Sequence, residues 1–404
     1  MPAQEIALTA DKPLMIRLKP GQERRILGGH AWIFSNEIAQ VEGKAEPGDL
    51  ADVRAASGQS LGTAFYHPNS LIACRMLSSE PVQADQAFFQ DRLARALSYR
   101  GKVKPGESAY RLCFGESDGI PGLVVDRYGD ILVLQVLSAG VERRLGEVEA
   151  ALKALLSPKG IYLKNDHRTR ALEGLKAESR TLWGEVPPEL EISEGGLRFL
   201  APIGEGQKTG YYFDQSENRA FLRPYFRDRL VLDLYCYTGS FSINALKHGA
   251  KASLGIDSSG PSVALAKRNA QLNGLGAQAD FEEGDAEEAL LSFAEGTQPF
   301  KPDMILLDPP SLAPAKKDLP RALRHYVKLN SLALRALPEG GSLATSTCSH
   351  HVSRELFVEM LRAAAAKARR RVRLSALRAQ GADHPVLLAM PETEYLHFAW
   401  LELA

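Results

Sequence analysis

The sequence predicts an α/β fold: a Rossmann-like C-terminal half preceded by a small β-rich domain and a central α+β domain. Three observations carry this. From Leu230 onward, short apolar runs of strand length alternate with longer stretches of helical periodicity. Several of those strands end on an acidic residue. Upstream, between Met15 and Leu77, short apolar runs are punctuated by Gly, Pro and Asp, the texture of a small barrel or sheet.

The C-terminal half reads element by element. Strand RLVLDLY leads to helix SFSINALKHG, strand SLGID to helix PSVALAKRNAQLNG, and strand FEEGD to helix AEEALLSFAEG. Strand DMILLD is followed by a loop and helix RALRHYVKLNSLALRAL. Strand GSLATSTC, helix RELFVEMLRAAAAKARR and a closing strand EYLHFAWLEL complete the series. Such alternation argues for a doubly wound parallel sheet, whose ligands sit at the carboxyl ends of the strands. Upstream, QADQAFFQDRLARALSYR has helical spacing, with Phe88, Phe89, Leu93 and Leu97 on one stripe. RLCFGESDGIPGLVVDRYGDILVLQVLS reads as two strands around a turn, VERRLGEVEAALKALL as a helix and GIYLKND as a strand. Pro187-Pro188 marks a linker, so the expected domains are residues 1–80, 81–188 and 189–404.

The bulk composition narrows the function classes. Of 404 residues, 45% are hydrophobic and 24% charged, and Lys+Arg and Asp+Glu both total 49. A net charge of zero counts against a purely electrostatic nucleic-acid binder but leaves room for a local basic patch. Cys74, Cys113, Cys236 and Cys348 are far apart and form no CxxC pair, so no metal site is expected. The N-terminus lacks a signal-peptide core, and no run approaches the ~20 apolar residues of a membrane span. The expectation is a cytoplasmic protein with reduced thiols.

Four strand ends define a candidate cofactor site. In Asp233-Leu-Tyr-Cys-Tyr-Thr-Gly239 a single glycine, not G-x-G-x-x-G, follows an acidic residue. That suits a ligand carrying a sulfonium and an ammonium, without phosphate. Tyr235, Tyr237 and Thr238 belong to this turn. Asp257, with Ser258, lies at the interval where a carboxylate takes ribose hydroxyls. Asp285-Ala286 could meet an adenine amino group, and Asp308-Pro309 ends the fourth strand. Each acid alone could be a helix cap; the ordered set points to S-adenosylmethionine, with S-adenosylhomocysteine as product. The preceding segment GQKTGYYFDQ suits a loop over the cofactor, with Tyr211 or Phe213 against adenine and Asp214 on polar atoms.

The candidate reacting group is Cys348, directly after a buried strand. C5 of a pyrimidine becomes nucleophilic only after something adds to C6, and a thiolate can do this. Asp308 near N3 would favour addition to cytosine. Free cysteines are often simply core residues, and Cys74, Cys113 and Cys236 are read that way. His350 and His351 either help the thiol, contact phosphate or pack. Lys316, Lys317, Arg321 and Arg324, with His325, form a basic loop suited to RNA phosphates. KARRRVR, from Lys367, reads as the polar end of a helix.

In order, GQKTGYYFDQSENR, DLYCYTGSFS, GIDSS, LLDPPS, TSTCS and ADHPVLLAMPETEYL resemble the RlmI-like class I rRNA methyltransferases. RLKPGQERRILGGHAWIFSNEI looks like that family's N-terminal PUA domain, an RNA-binding pseudobarrel, and RLCFGESDGIPGLVVDRYGD like its central β-rich domain. The resemblance implies formation of 5-methylcytosine in large-subunit (23S) rRNA, with Cys348 as nucleophile, Asp308 as its partner, and Asp233, Asp257 and Asp285 around the cofactor. No second cysteine follows the DPP segment; Ser311 does, where the family often has lysine, and Ser-His-His follows Cys348 in place of Ser-Gly. Two alternatives stay open: a guanine-N-methyltransferase on the same fold, and a non-enzymatic RNA-binding ribosome-assembly factor. A homodimer is compatible with the sequence.

Overall fold

The computed structural model describes residues 14–313 and 315–404. They form two compact units: residues up to Pro188 with 203–211 and 385–393, and Glu189–Pro202 with Tyr212–His384 and Glu394–Ala404.

The first unit contains two sheets. Strands β1 (Met15–Leu18), β2 (Trp32–Phe34), β3 (Ile38–Glu42), β4 (Asp49–Arg54), β5 (Ser60–Tyr66) and β6 (Ile72–Ser78) pair in the order β2-β6-β5-β4-β1-β3, with helix α1 (Glu23–Leu27) after β1. Ile16, Ile33, Val53, Ala64 and Cys74 fill its core. The second sheet has the order β11-β10-β9-β8-β7, from β7 (Ala109–Phe114), β8 (Leu123–Tyr128), β9 (Ile131–Val136), β10 (Gly160–Asn165) and β11 (Glu178–Gly184). Helices α2 (Gln86–Val103), α3 (Ala139–Glu142) and α4 (Leu145–Leu156) belong with it. Phe89 and Leu93 of α2 and Val148 and Leu152 of α4 share a core with Leu132 and Leu134. The stretch expected as two strands is three, because Gly129-Asp130 makes a tight turn between two buried runs. The helix expected over VERRLGEVEAALKALL is broken between α3 and α4.

The second unit opens with a hairpin, β12 (Glu189–Glu194) and β13 (Leu197–Pro202), turning on Gly195-Gly196. Both glycines have positive φ, +57° and +79°, as a two-residue turn matched to strand twist requires. Helix α5 (Ser216–Leu222) follows. The main sheet is then laid down as β14 (Leu230–Leu234), α6 (Ser240–Lys247), β15 (Ala252–Asp257), α7 (Gly260–Leu272), β16 (Ala279–Glu283), α8 (Ala286–Ala294), β17 (Met304–Leu307), α9 (Leu319–Ala336), β18 (Ser342–Thr347), α10 (Arg354–Ala368), β19 (Val372–Arg378) and β20 (His397–Leu403). Its order is β16-β15-β14-β17-β18-β20-β19.

The sheet is mixed, not wholly parallel. Strands β14 to β18 pair in parallel, but β20 is antiparallel to both neighbours. The reason is the connection: β19 reaches β20 without a crossover helix, and a direct return reverses strand direction. Strand order switches at β14, flanked by β15 and β17, so a crevice opens outside their carboxyl ends. No helix among the described residues is long and apolar enough to cross a membrane.

Candidate active site

The crevice begins at Asp233, which is 1% exposed. One of its carboxylate oxygens accepts the Ser242 backbone N–H at 3.0 Å and the Ser242 hydroxyl at 2.7 Å, tying the strand end to the first turn of α6. The turn between them is tight: Tyr235, Tyr237 and Gly239 have φ of +62°, +48° and +78°. Side chains rarely adopt this conformation, so the surroundings must hold it. Cys236 N–H donates to the Ile256 carbonyl at 3.1 Å, Tyr237 N–H to Asp257 Oδ2 at 2.9 Å, and Asn269 Nδ2 to the Thr238 carbonyl at 3.0 Å. At Gly239 a Cβ would lie 2.8 Å from the Phe281 ring, so glycine is required by close approach as well as by φ.

Asp257 closes β15. Its Oδ2 holds the turn, and its Oδ1 accepts the Ser259 N–H at 2.9 Å, while Ser258 between them is exposed. Asp285 caps α8: one oxygen accepts the N–H groups of Glu287 and Glu288, both at 2.9 Å, and Ala286 is buried. Tyr235 lies within the field of Asp285, and burial with that charge pushes its phenol up to about 12. Burial pushes the Asp233 carboxyl up to about 7; the Ser242 bonds oppose this, and the nearby Asp308 and Asp257 add to it.

Asp308 follows β17, beside buried Pro309. Its Oδ1 accepts Gln215 Nε2 at 3.1 Å and the Ser346 hydroxyl. Asn218 Nδ2 donates to Gln215 Oε1 at 2.7 Å, fixing which end of the amide faces the aspartate. Cys348 follows β18 and is half-buried, whereas Cys74, Cys113 and Cys236 are fully buried and their thiols are pushed up by desolvation. Tyr212 joins the two ends of the crevice. Its ring meets Tyr237 edge-on at 5.3 Å, and its phenol is raised by burial and then by Tyr237, Asp214, Asp308 and Cys348.

The turn residues, Asp233, Asp257, Asp308 and Cys348 therefore come together at one edge of the sheet. Asp214 is buried and accepts the Tyr395 hydroxyl at 2.7 Å, and Phe213 is buried beside it. Tyr211 belongs to the first unit and is 1% exposed. The His350 ring lies 5.3 Å from that of Tyr395; His351 is exposed. Lys316, Lys317, Arg321 and Arg324 are all exposed, at the start of α9 and the turn before it. His325 and Lys328, further along α9, pair with Glu287. The KARRRVR run ends one helix and enters strand β19.

Sequence reasoning did not single out Tyr212, Gln215, Ser346 or Tyr326. The first two lie inside the quoted GQKTGYYFDQSENR motif, one position from residues that were named. Tyr326 carries no sequence signal, being an aromatic on the buried stripe of α9.

Asp233, Asp257 and Asp308 around one crevice disfavour an anion such as pyrophosphate and favour a cation, whose charge would offset the burial and mutual repulsion that hold the Asp233 carboxyl up. The residues present thus fit S-adenosylmethionine, with its sulfonium and ammonium, and define the class: a methyltransferase. A family model for S-adenosylmethionine-dependent methyltransferases matches residues 134–371, and one for PUA-like domains matches residues 16–79. The chain is 38% identical over 384 residues to ribosomal RNA large subunit methyltransferase I of Cronobacter sakazakii, covering 94% of this chain and 96% of that one. The same figures hold for the protein of that name from Klebsiella pneumoniae. A Streptococcus mutans methyltransferase structure has the same fold, with a TM-score of 0.83 at 22% identity, covering 96% of this chain and 99% of that chain. The chain belongs to the S-adenosylmethionine-dependent methyltransferase family, in the branch of the ribosomal RNA large subunit methyltransferase I proteins.

Proposed function

We propose that this protein transfers a methyl group from S-adenosylmethionine to C5 of a cytosine in large-subunit rRNA, through a covalent bond between Cys348 and C6. The observation that carries this reading is the pairing of a half-buried thiol after β18 with a carboxylate after β17, beside an acidic cofactor crevice. The names of its relatives supply the rRNA.

The Cys348 thiolate adds to C6 while Asp308, as the acid, donates a hydrogen bond or proton at N3. This makes C5 an enamine carbon. The cofactor supplies an electrophilic methyl group, and S-adenosylhomocysteine leaves. Loss of the C5 proton to a base then expels the thiolate from C6, and N3 gives its proton back to Asp308, restoring the neutral aromatic ring and the starting enzyme. Asp233, Tyr235, Tyr237, Thr238, Gly239, Asp257, Ser258, Asp285, Ala286, Asp308 and Pro309, with Tyr211, Phe213 and Asp214, are the proposed cofactor-binding residues. The exposed cations Lys316, Lys317, Arg321 and Arg324 are proposed to hold RNA phosphates. Residues 1–80, 81–188 and 189–404 are proposed as RNA-binding, central and catalytic domains.

The decisive experiment uses rRNA fragments containing 5-fluorocytidine. Fluorine at C5 cannot leave as a proton does, so the thiol stays attached and a protein–RNA adduct accumulates. Adduct with wild type and none with Cys348→Ala supports the mechanism. Full methyl transfer by Cys348→Ala overturns it and favours transfer to a guanine nitrogen.

A further inference from the structure

One hydroxyl group holds both flanks of Cys348. Tyr326, on α9, is 0% exposed. Its hydroxyl accepts from Thr347 Oγ1 at 2.9 Å, lies 2.9 Å from Ser349 Oγ, and accepts the Leu312 N–H at 3.3 Å; the Pro310 carbonyl is at 3.5 Å. Thr347 and Ser349 are the residues on either side of Cys348. Pro310 and Leu312 belong to the loop that follows Asp308.

A phenol has one proton and two acceptor sites. With Thr347 and Leu312 donating, both acceptor sites are used, and the single proton goes to the nearer partner, Ser349. Ser349 Oγ also receives the Ala313 N–H at 3.4 Å, so its own proton points to Ser311 Oγ at 3.1 Å. The result is a directed chain, Thr347 to Tyr326 to Ser349 to Ser311. It sews the loop after β18 to the loop after β17. The two groups proposed to act on the base, Cys348 and Asp308, sit on those two loops.

We infer that Tyr326 is a positioning residue for methyl transfer, holding the Cys348 thiol in register with Asp308 through Thr347 and Ser349. The inference rests on the reading of Cys348 as nucleophile. The chain is neutral, which matters beside a group that must ionise: a carboxylate in the same place would oppose thiolate formation, whereas hydroxyls fix geometry without adding charge. A displacement of about 1 Å in a reacting group can cost on the order of a hundredfold in rate.

Tyr326→Phe keeps the ring and its packing and removes only the oxygen. Three readouts test the inference: single-turnover adduct formation with 5-fluorocytidine RNA, cofactor Kd by calorimetry, and the pH profile of Cys348 alkylation, followed on its own peptide by mass spectrometry. The expected result is adduct formation slowed about tenfold to a hundredfold at saturating RNA, with cofactor Kd and RNA KM unchanged and the alkylation profile shifted. Wild-type rates and an unshifted profile overturn the inference. So does a slowed rate matched by an equal loss of cofactor binding and a lower melting temperature, because that is a merely structural effect. Ser349→Ala cuts the same chain at its next link; it should slow adduct formation by a smaller factor, and adding it to Tyr326→Phe should change little further. Fully multiplicative effects would mean independent roles and would also overturn the inference. If wild type forms no adduct and Cys348→Ala stays active, the cytosine reading has failed by itself. The alkylation profile then still reports whether Tyr326 sets the position of the thiol.

Discussion

The two ends of the crevice are built from different chemistry. Along β14 to β16 the strand-end aspartates are held chiefly by backbone amides: Asp233 at Ser242, whose hydroxyl also donates to it, Asp257 at Tyr237 and Ser259, and Asp285 at Glu287 and Glu288. Beyond β17 and β18 the partners are neutral side chains, with Gln215 and Ser346 on Asp308 and the hydroxyl chain around Cys348. Amide N–H groups at helix starts hold carboxylates where a cation is to bind. Hydroxyls hold a thiol without burdening it with negative charge. In the proposed mechanism one sheet edge carries the cation site and the nucleophile a single strand apart, with neutral groups scaffolding the second.

The sharpest way to separate the two ends is to remove one and measure the other. Cys348→Ala should lower methyl transfer by at least about a thousandfold, while cofactor Kd from calorimetry stays at the wild-type value. If cofactor binding falls as well, the two ends are not separable. The next largest effect belongs to Asp233→Asn, which should weaken cofactor binding by roughly ten- to a hundredfold, the scale of a lost hydrogen bond to a charged group. Its pH dependence has a definite sign. The Asp233 carboxyl moves from an ordinary 3.8 to about 7 in the folded protein. Between those values the folded state binds more protons than the unfolded chain, so the ligand-free protein loses stability as pH rises through that window. A cationic ligand favours the ionised form, so wild-type affinity should rise between about pH 6 and pH 8, with protons released to buffer. In Asp233→Asn this rise should vanish; its persistence would place the titrating group elsewhere.

The same contrast explains what was legible in the sequence. Carboxylates after strands stand out because strand and helix periodicities locate the strand ends, so Asp233, Asp257, Asp285 and Asp308 could be read in advance. Tyr326 could not, because a tyrosine on the apolar stripe of a helix looks the same whether its hydroxyl is idle or joins two loops. Gln215 and Ser346 were hidden similarly, their roles being set by tertiary proximity to Asp308. In the fold, two sheet-edge strands escaped notice: β11 is mostly exposed and polar, and β19 begins inside the basic run KARRRVR, which reads as the end of the preceding helix. The β12–β13 hairpin was readable in principle: ELEISE and LRFLAP flank a Gly-Gly pair, a two-residue turn signal. The direction of β20 depended on a connection whose path no local periodicity reveals.

A smaller effect separates the basic loop from both ends of the crevice. Replacing Lys316, Lys317, Arg321 and Arg324 with glutamine should leave cofactor Kd unchanged and weaken RNA binding. On single-stranded RNA, the slope of log affinity against log salt should become shallower by about 0.7 for each phosphate no longer neutralised. An unchanged slope would make the loop ordinary solvated surface.

The smallest expected effect bears on Asp285, the one carboxylate of the set that is exposed. Its two bonds to the start of α8 account for a capping role without any ligand. Asp285→Ala should therefore cost about 1 kcal/mol of stability, seen as a melting temperature lowered by a few degrees. Asp285→Asn retains a side-chain oxygen to accept the same N–H groups and should restore most of that loss. Cofactor affinity in the Asn variant then isolates the second role. An asparagine that caps the helix but binds cofactor several-fold more weakly than wild type would give Asp285 a place at the adenine. Equal affinity would make Asp285 a helix cap alone, leaving the cofactor site to Asp233, Asp257 and the turn they hold.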